Sequence, residues 1–336
     1  MSTFLITGGA GFIGSHLTEA LLKLDQHVFI LDDLSSGSVN NIAHLRSDPR
    51  LEFVPENTNA QNVLSELVDV ADIIIHLAAT VGVLNIIASP VSTIVNNVSG
   101  TEAVLKAAAK KRKKVIVAST SEVYGKSTVF PFREDGDLTF GPTSKSRWSY
   151  ATSKAVDEFL ALAYWHQFKV PTVVVRLFNT IGPRQTGRYG MVVPRFMVQA
   201  LRGQNLTVYG SGQQSRSFTY VSDIVEWILL LASNDKAVGE VCNLGNPEEI
   251  TIADLARRVI AVTGARVGIE LIPYERAYEK GFEDMERRVP DITKVKVLTG
   301  YSPRVDLEQA LRLTRDWFVQ ENILQRAEAF NHSPTL

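Results

Sequence analysis

Short apolar runs recur along the first half of the chain, at residues 4–6, 28–31, 51–54, 73–77, 115–118 and 172–177. Runs this short read as buried strands, whereas apolar residues three and four apart mark one face of a helix. Residues 15–24 show the second pattern, with Leu17, Ala20, Leu21 and Leu24 on a single face. Strands alternating with helices predict an α/β fold built on a doubly wound parallel sheet with right-handed crossovers. Beyond residue 178 the pattern loosens. Strand-like pieces at 207–209, 240–244 and 268–272 mix with helical stretches near 191–202, 221–233, 251–263 and 306–319. We therefore expect a sheet-forming domain over 1–178 and a smaller α/β lobe over 179–330. The strand near 240–244 can rejoin the first sheet, so the domains need not be contiguous. The last residues, 331–336, are expected to fray.

The first strand, Phe4-Leu5-Ile6, runs into Thr7-Gly8-Gly9-Ala10-Gly11-Phe12-Ile13-Gly14 and then a helix. Such a turn cradles a dinucleotide: Gly8 allows the tight turn, Gly11 the approach of backbone to a pyrophosphate, and Gly14 close helix–strand packing. The free N–H groups of the helix start favour the phosphates. The spacing is G-x-x-G-x-x-G rather than G-x-G-x-x-G, so the turn alone is a weak signal. An acid at the end of the next strand strengthens it. Asp32 follows Val28-Phe29-Ile30-Leu31, where a carboxylate can accept hydrogen bonds from the adenosine ribose and repel a 2′-phosphate. This favours NAD over NADP. Asp33 competes for the same role.

Composition adds exclusions. Of the 336 residues, 45% are hydrophobic and the net charge is −1, which implies a sizeable core and no global attraction to nucleic acid. The basic run Lys110-Lys111-Arg112-Lys113-Lys114 closes a predicted helix, where positive charge is favourable and solvated. No apolar run approaches the roughly 18 residues of a membrane span, and Met1-Ser2-Thr3 leads straight into a strand without a signal segment. A single cysteine, Cys242, excludes an internal disulfide and fits a reducing cytoplasm; we read it as a buried apolar residue.

The reactive groups lie further on. Ser119-Thr120-Ser121-Glu122 ends a predicted strand, and Tyr150 and Lys154 are spaced to share one helix face. In open α/β sheets, ligand groups gather at strand C-termini. An ammonium beside a phenol favours the phenolate, so Lys154 is expected to lower the Tyr150 pKa and make it a general base. Lys154 is also expected to reach the nicotinamide ribose.

At these residues the chain resembles the extended short-chain dehydrogenase/reductases, in their nucleotide-sugar epimerase, dehydratase and decarboxylase branch. The resemblance runs from the glycine turn through His76-Leu77-Ala78-Ala79, Asn97-Val98-Ser99-Gly100-Thr101 and Ser121-Glu122-Val123-Tyr124-Gly125. It continues through Tyr150 and Lys154, Arg176-Leu177-Phe178-Asn179, Gly182-Pro183-Arg184, 216–223 and Arg288-Val289-Pro290-Asp291, nearly the whole chain. It implies a Rossmann-type NAD-binding domain over 1–178, a nucleotide-sugar-binding lobe over 179–330, and NAD reduced and reoxidised within each turnover. Gly8, Gly11, Phe12, Ile13, Gly14, Asp32, Asn57, Leu77, Ala78 and Ala79 are the implied cofactor contacts, together with Tyr150 and Lys154. One departure is Glu56-Asn57-Thr58, where many relatives place an aspartate facing the adenine; Asn57 retains a hydrogen-bonding edge.

Which reaction follows is set near Glu122. Relatives that only epimerise C4 commonly have a small residue there, whereas a carboxylate suits chemistry at C5. Thr120-Ser121-Glu122 resembles UDP-glucuronate decarboxylases, although GDP-mannose dehydratases share it. The approach Gly141 to Tyr150 and the segment 280–285 resemble the decarboxylase of bacterial lipid A modification. The resemblance thus implies a cytoplasmic UDP-glucuronate decarboxylase giving UDP-xylose or a related pentose, with a 4-epimerase as the alternative. A regulator that only binds NAD is a remote alternative, disfavoured by the presence of Thr120, Tyr150 and Lys154. Thr120 or Ser121 would steady developing oxygen charge, and Glu122 would position the ring or relay a proton to C5. Arg216 and Arg288 are pyrophosphate candidates, Arg216 also a carboxylate partner. Asn179 would hold phosphates or sugar, and Tyr209 would line the uracil pocket. The family's homodimers pair two helices per subunit, here about 99–111 and 150–167.

Overall fold

In a computed structural model of the chain, the described residues are 1–81, 89–187, 190–277 and 285–321. The segment 280–284 and the tail 331–336, both singled out in the sequence, lie outside them. Strands β1 (Thr3–Thr7), β2 (His27–Leu31), β3 (Leu51–Val54), β4 (Ile73–His76), β5 (Lys114–Thr120) and β6 (Thr172–Leu177) coincide with the apolar runs. Seven further strands follow: β7 (Thr180–Ile181), β8 (Leu206–Tyr209), β9 (Ser215–Ser217), β10 (Thr219–Tyr220), β11 (Val241–Leu244), β12 (Glu249–Thr251) and β13 (Ile269–Ile272).

The large sheet is parallel throughout, in the order β11-β6-β5-β4-β1-β2-β3. The order reverses between β1 and β4, which opens a crevice at their C-terminal ends. This is the doubly wound, Rossmann-type α/β fold expected from the alternation.

Both faces are covered, and the period of two along each strand decides which residue goes where. On one face Phe4, Ile6, Ile75, Ile116, Val173 and Val175 pack beneath α1 (Phe12–Lys23) and residues of Val221–Ala232. On the other, Leu5, Ile74, Val115, Val117 and Val174 pack beneath α2 (Gln61–Val70), α3 (Pro90–Ala109) and α4 (Arg147–Phe168). Cys242 on β11 is fully buried, and burial pushes its thiol up to about 12. α6 (Val221–Ala232) and α8 (Thr293–Thr299) pack with the large sheet, while the smaller lobe has its own core, to which α5 (Val192–Leu201), α7 (Ile252–Thr263) and α9 (Leu307–Gln320) contribute. Phe196, Leu206, Val208, Leu255, Val259 and Phe318 lie at the centre of that core.

β11 pairs with β6, and α6 packs under the large sheet through Ile224, Trp227 and Ile228. The second half of the chain thus supplies both a strand and a covering helix to the first. One helix differs from expectation: α3 starts at Pro90 rather than near residue 99. Its first turns point polar Thr93 and Asn97 inward while Val91, Ile94 and Val95 face out, so the amphipathic pattern is inverted there. Among the described residues, no helix is long and apolar enough to cross a membrane.

Candidate active site

The glycine turn is dictated by backbone contacts. Gly8 has φ +76°, and a Cβ there would stand 2.8 Å from the Ala78 backbone nitrogen. A Cβ on Gly14 would lie 2.3 Å from the Gly8 carbonyl oxygen, so the helix start is pressed against the turn itself. Gly11 precedes α1, leaving the first amides of the helix open to the crevice.

Asp32 is 7% exposed and locks this turn, accepting from Ala10 N and Leu34 N at 2.9 Å each. Burial raises its pKa despite those bonds. Asp33 is exposed, accepts from Asn57 Nδ2 at 2.7 Å, and has a lowered pKa because hydrogen bonds from Ser35 and Asn57 outweigh its desolvation. Asn57 is thus occupied with Asp33 and Asn59 N rather than standing free for an adenine.

A crevice of about 1250 Å³ is lined by Gly8, Gly11, Phe12, Ile13, Gly14, Asp32, Asn57, Leu77, Ala78, Ala79, Tyr150 and Lys154. Every cofactor residue inferred from the sequence therefore comes together here. The cleft lined by Gly8, Gly11 and Gly14, with the open amides of the helix start, fits the pyrophosphate of a dinucleotide, and Asp32 fits its ribose.

A second cavity of about 310 Å³ shares Tyr150, Thr180, Gln185 and Met191 with the first. Its lining includes Thr120, Glu122, Arg147, Asn179, Tyr209, Arg216 and Arg288. Asn179 donates to Ser217 O at 3.0 Å, and the Arg195 guanidinium stacks 4.0 Å over the Tyr209 ring. Ser121 is buried at 1% exposure and is absent from both linings, so Thr120 is the hydroxyl the site presents. The Thr120 side chain caps the next turn, accepting from Glu122 N at 3.2 Å, and hydrogen-bonds the Tyr150 phenol.

Glu122 lies at the centre of the charge. Arg147 Nη1 donates to Oε2, Arg288 Nη2 stands 3.3 Å from Oε1, and the Arg216 charge acts on it as well. Burial favours the neutral acid, but the three guanidiniums outweigh it and hold the carboxyl at about 2. Glu122 is therefore held as a carboxylate among these guanidiniums. Arg216 and Arg288, expected on a pyrophosphate, both gather around Glu122. Arg147 escaped sequence reasoning. Its only local signal is its place one helical turn before Tyr150.

Tyr150 also differs from expectation. Burial, with the Glu122 charge next, pushes its phenol up rather than down. Lys154, 2% exposed, donates to Asp157 Oδ2 at 2.7 Å, one turn further along α4.

Residues 5–314 match the protein family described as GDP-mannose 4,6 dehydratase. The chain is 44% identical to the UDP-N-acetyl-alpha-D-glucosaminuronate decarboxylase of Bacillus cytotoxicus, over 94% of this chain and 97% of that one. It is 38% identical to UDP-glucuronic acid decarboxylase 1 of Danio rerio, over 94% of this chain and 72% of that protein. Among solved structures, UDP-glucuronic acid 4-epimerase of Bacillus cereus, bound to UDP-glucuronic acid and NAD, superimposes with a TM-score of 0.85 at 31% identity, covering 95% and 99% of the two chains. Fold, glycine turn, Tyr150/Lys154 pair and these matches lead to one conclusion: the chain belongs to the GDP-mannose 4,6 dehydratase family of NAD-dependent, nucleotide-sugar-modifying enzymes.

Proposed function

We propose that the protein is a decarboxylase of a UDP-linked uronic acid, acting on UDP-glucuronate and yielding UDP-xylose or a related pentose. The observation that carries this reading is Glu122, a buried ionised carboxylate held by Arg147 and Arg288 beside Tyr150. Relatives named as decarboxylases of UDP-linked uronates support it. They differ at C2, which bears an acetamido group in one substrate and a hydroxyl in the other.

When bound, NAD supplies a hydride acceptor for C4 of the sugar and returns the hydride later. Tyr150, as the phenolate that the Lys154 ammonium favours against its burial, takes the proton of the C4 hydroxyl, and Thr120 steadies the oxygen by hydrogen bonding. The resulting 4-keto uronate is a β-keto acid. Its C5–carboxylate bond breaks, CO₂ leaves, and the electron pair passes into the C4 carbonyl as an enolate. A proton from solvent then adds at C5 and regenerates the ketone, and Tyr150 returns its proton to the C4 oxygen as C4 is reduced again. Glu122 and its arginines fix the ring and, by fork geometry, hold anionic groups of the substrate. Asn179, Tyr209, Arg216 and Arg288 are the substrate contacts we assign.

The 4-epimerase reading has one specific support, the close superposition on UDP-glucuronic acid 4-epimerase. Incubation with UDP-glucuronate and with its 2-acetamido analogue, followed by product mass, separates the readings. Loss of CO₂ is expected; a product of unchanged mass would replace decarboxylation with epimerisation.

We further propose a homodimer through α3 and α4. Val91, Ile94 and Val95 on one helix, and Val156 and Phe159 on the other, leave an apolar surface that a second copy would cover. Sedimentation at micromolar concentration should give a dimer, and Phe159→Glu should shift it toward monomer. A cytoplasmic location accords with a single, buried cysteine.

A further inference from the structure

Beneath the crevice floor runs a chain of buried polar side chains that the proposed chemistry does not use. Thr7 Oγ1 on β1 meets His76 Nδ1 on β4 at 2.7 Å, and His76 Nε2 meets Thr101 Oγ1 on α3 at 3.1 Å. The Thr101 hydroxyl in turn faces the Asp157 carboxylate on α4, whose Oδ2 accepts from Lys154 at 2.7 Å. None of the five is more than 2% exposed.

A buried ion pair is weak evidence for stability, because apolar residues of the same volume serve packing as well or better. Its presence under a reactive pair therefore calls for another reason. Lys154 is buried, and an uncompensated charge in the interior is costly. Asp157 is the carboxylate that offsets that charge, and the threonine–histidine chain fixes Asp157 in turn. His76 completes the chain as a neutral ring, since burial, with the Lys154 charge, lowers its pKa to about 3.

We propose that Asp157 is a positioning residue of the oxidation step, the buried counter-charge that keeps the Lys154 ammonium charged and in place beside Tyr150. The groups that surround Asp157 are Lys154 and Glu158 on its own helix, Tyr150 two turns back and Thr101 from α3, with His76 from β4 behind Thr101. Glu158 is itself held by Arg176 from β6 at 2.8 Å and by Ser119 from β5. That leaves Asp157 as the carboxylate paired with Lys154.

This inference rests on Tyr150 and Lys154 being the oxidising pair, which decarboxylase and epimerase readings share. The test follows NADH absorbance after UDP-glucuronate is added to NAD-loaded enzyme, from about pH 6 to about pH 9. Asp157→Asn should keep KM for the sugar nucleotide near wild type. Its rate of NADH formation should fall progressively as pH rises, by about tenfold relative to wild type per unit above the new midpoint. In a Lys154→Met background the same substitution should have no further effect. A variant profile parallel to wild type, or losses that add, would overturn the proposal.

A second measurement needs neither turnover nor the Asp157 variant. The carboxyl ¹³C resonance of Asp157 should titrate at higher pH in Lys154→Met than in wild type; an unchanged titration would overturn the proposal. If wild type forms no NADH from UDP-glucuronate, the functional reading fails, and the carbon titration still decides whether Asp157 and Lys154 are coupled.

Discussion

The two cavities that meet at Tyr150 recognise their ligands by opposite means. The larger is shaped by a glycine turn and open helix amides, and its charges are mixed, with Asp32 and Asp33 at one side and Lys154 and Arg184 among the rest of its lining. The smaller concentrates Arg147, Arg216 and Arg288 around a single glutamate. Three guanidiniums against one carboxylate leave an excess of positive charge, suited to phosphates and a uronate. The contrast separates what is generic from what is particular. On the proposed reading, shape and backbone hydrogen bonds accept the cofactor, while the charge pattern beyond Tyr150 selects the sugar and what happens at C5.

Substitutions on either side of the shared wall should have separable effects. The largest is expected from Tyr150→Phe, which removes the base common to both halves: NADH formation should fall by about 10²–10⁴-fold, with NAD affinity intact in a binding titration. Glu122→Gln should confine its damage to the sugar side, slowing CO₂ release by about 10²-fold while a 4-keto species or NADH accumulates. Equal slowing of oxidation and CO₂ release would show that the cavities are not separable. Asp32→Ala should act on the cofactor side alone. It should erode the preference for NAD over NADP by about tenfold, read as the ratio of dissociation constants, with no change in product.

A further effect concerns acid stability and leaves catalysis at neutral pH untouched. His76 is buried and neutral, with a pKa lowered by burial from 6.5 to about 3. Its unfolded form binds the proton first, so the stability it contributes is present above about pH 6.5 and declines as pH falls toward 3. Each pH unit in that window should cost up to about 1.4 kcal/mol, and His76→Gln should flatten the thermal melts there. Glu122 acts in a lower window. Its depressed pKa gives stability present above about 4.5 that is lost as pH falls toward 2.

The cofactor side was legible in the sequence because its parts are local. Gly8 to Gly14 form one turn, and Asp32 is the next strand's end, so spacing alone brings them together. The strands were equally readable, since each buried face imposes its own apolar period. Charge was not. Arg147 reaches Glu122 across 25 residues and Arg288 across 166, and no local pattern marks either contact. The position of Lys154 was legible, its partner was not: Asp157 at i+3 looks like any polar residue on a helix until three neighbouring elements bury it. The early start of α3 was missed for a related reason, because Asn97 is turned inward to accept from Thr80 N and donate to Ser153 Oγ.

The pairing of β11 with β6 sets the order in which the protein can be completed during synthesis. Strand β6, with Val173, Val174 and Val175 fully buried in the finished protein, is an open edge until residues 241–244 have left the ribosome. Until then the nascent chain presents a row of unpaired amides and carbonyls on a valine-rich strand, the kind of edge that recruits other chains. A product truncated before residue 241 would carry the exposed edge permanently.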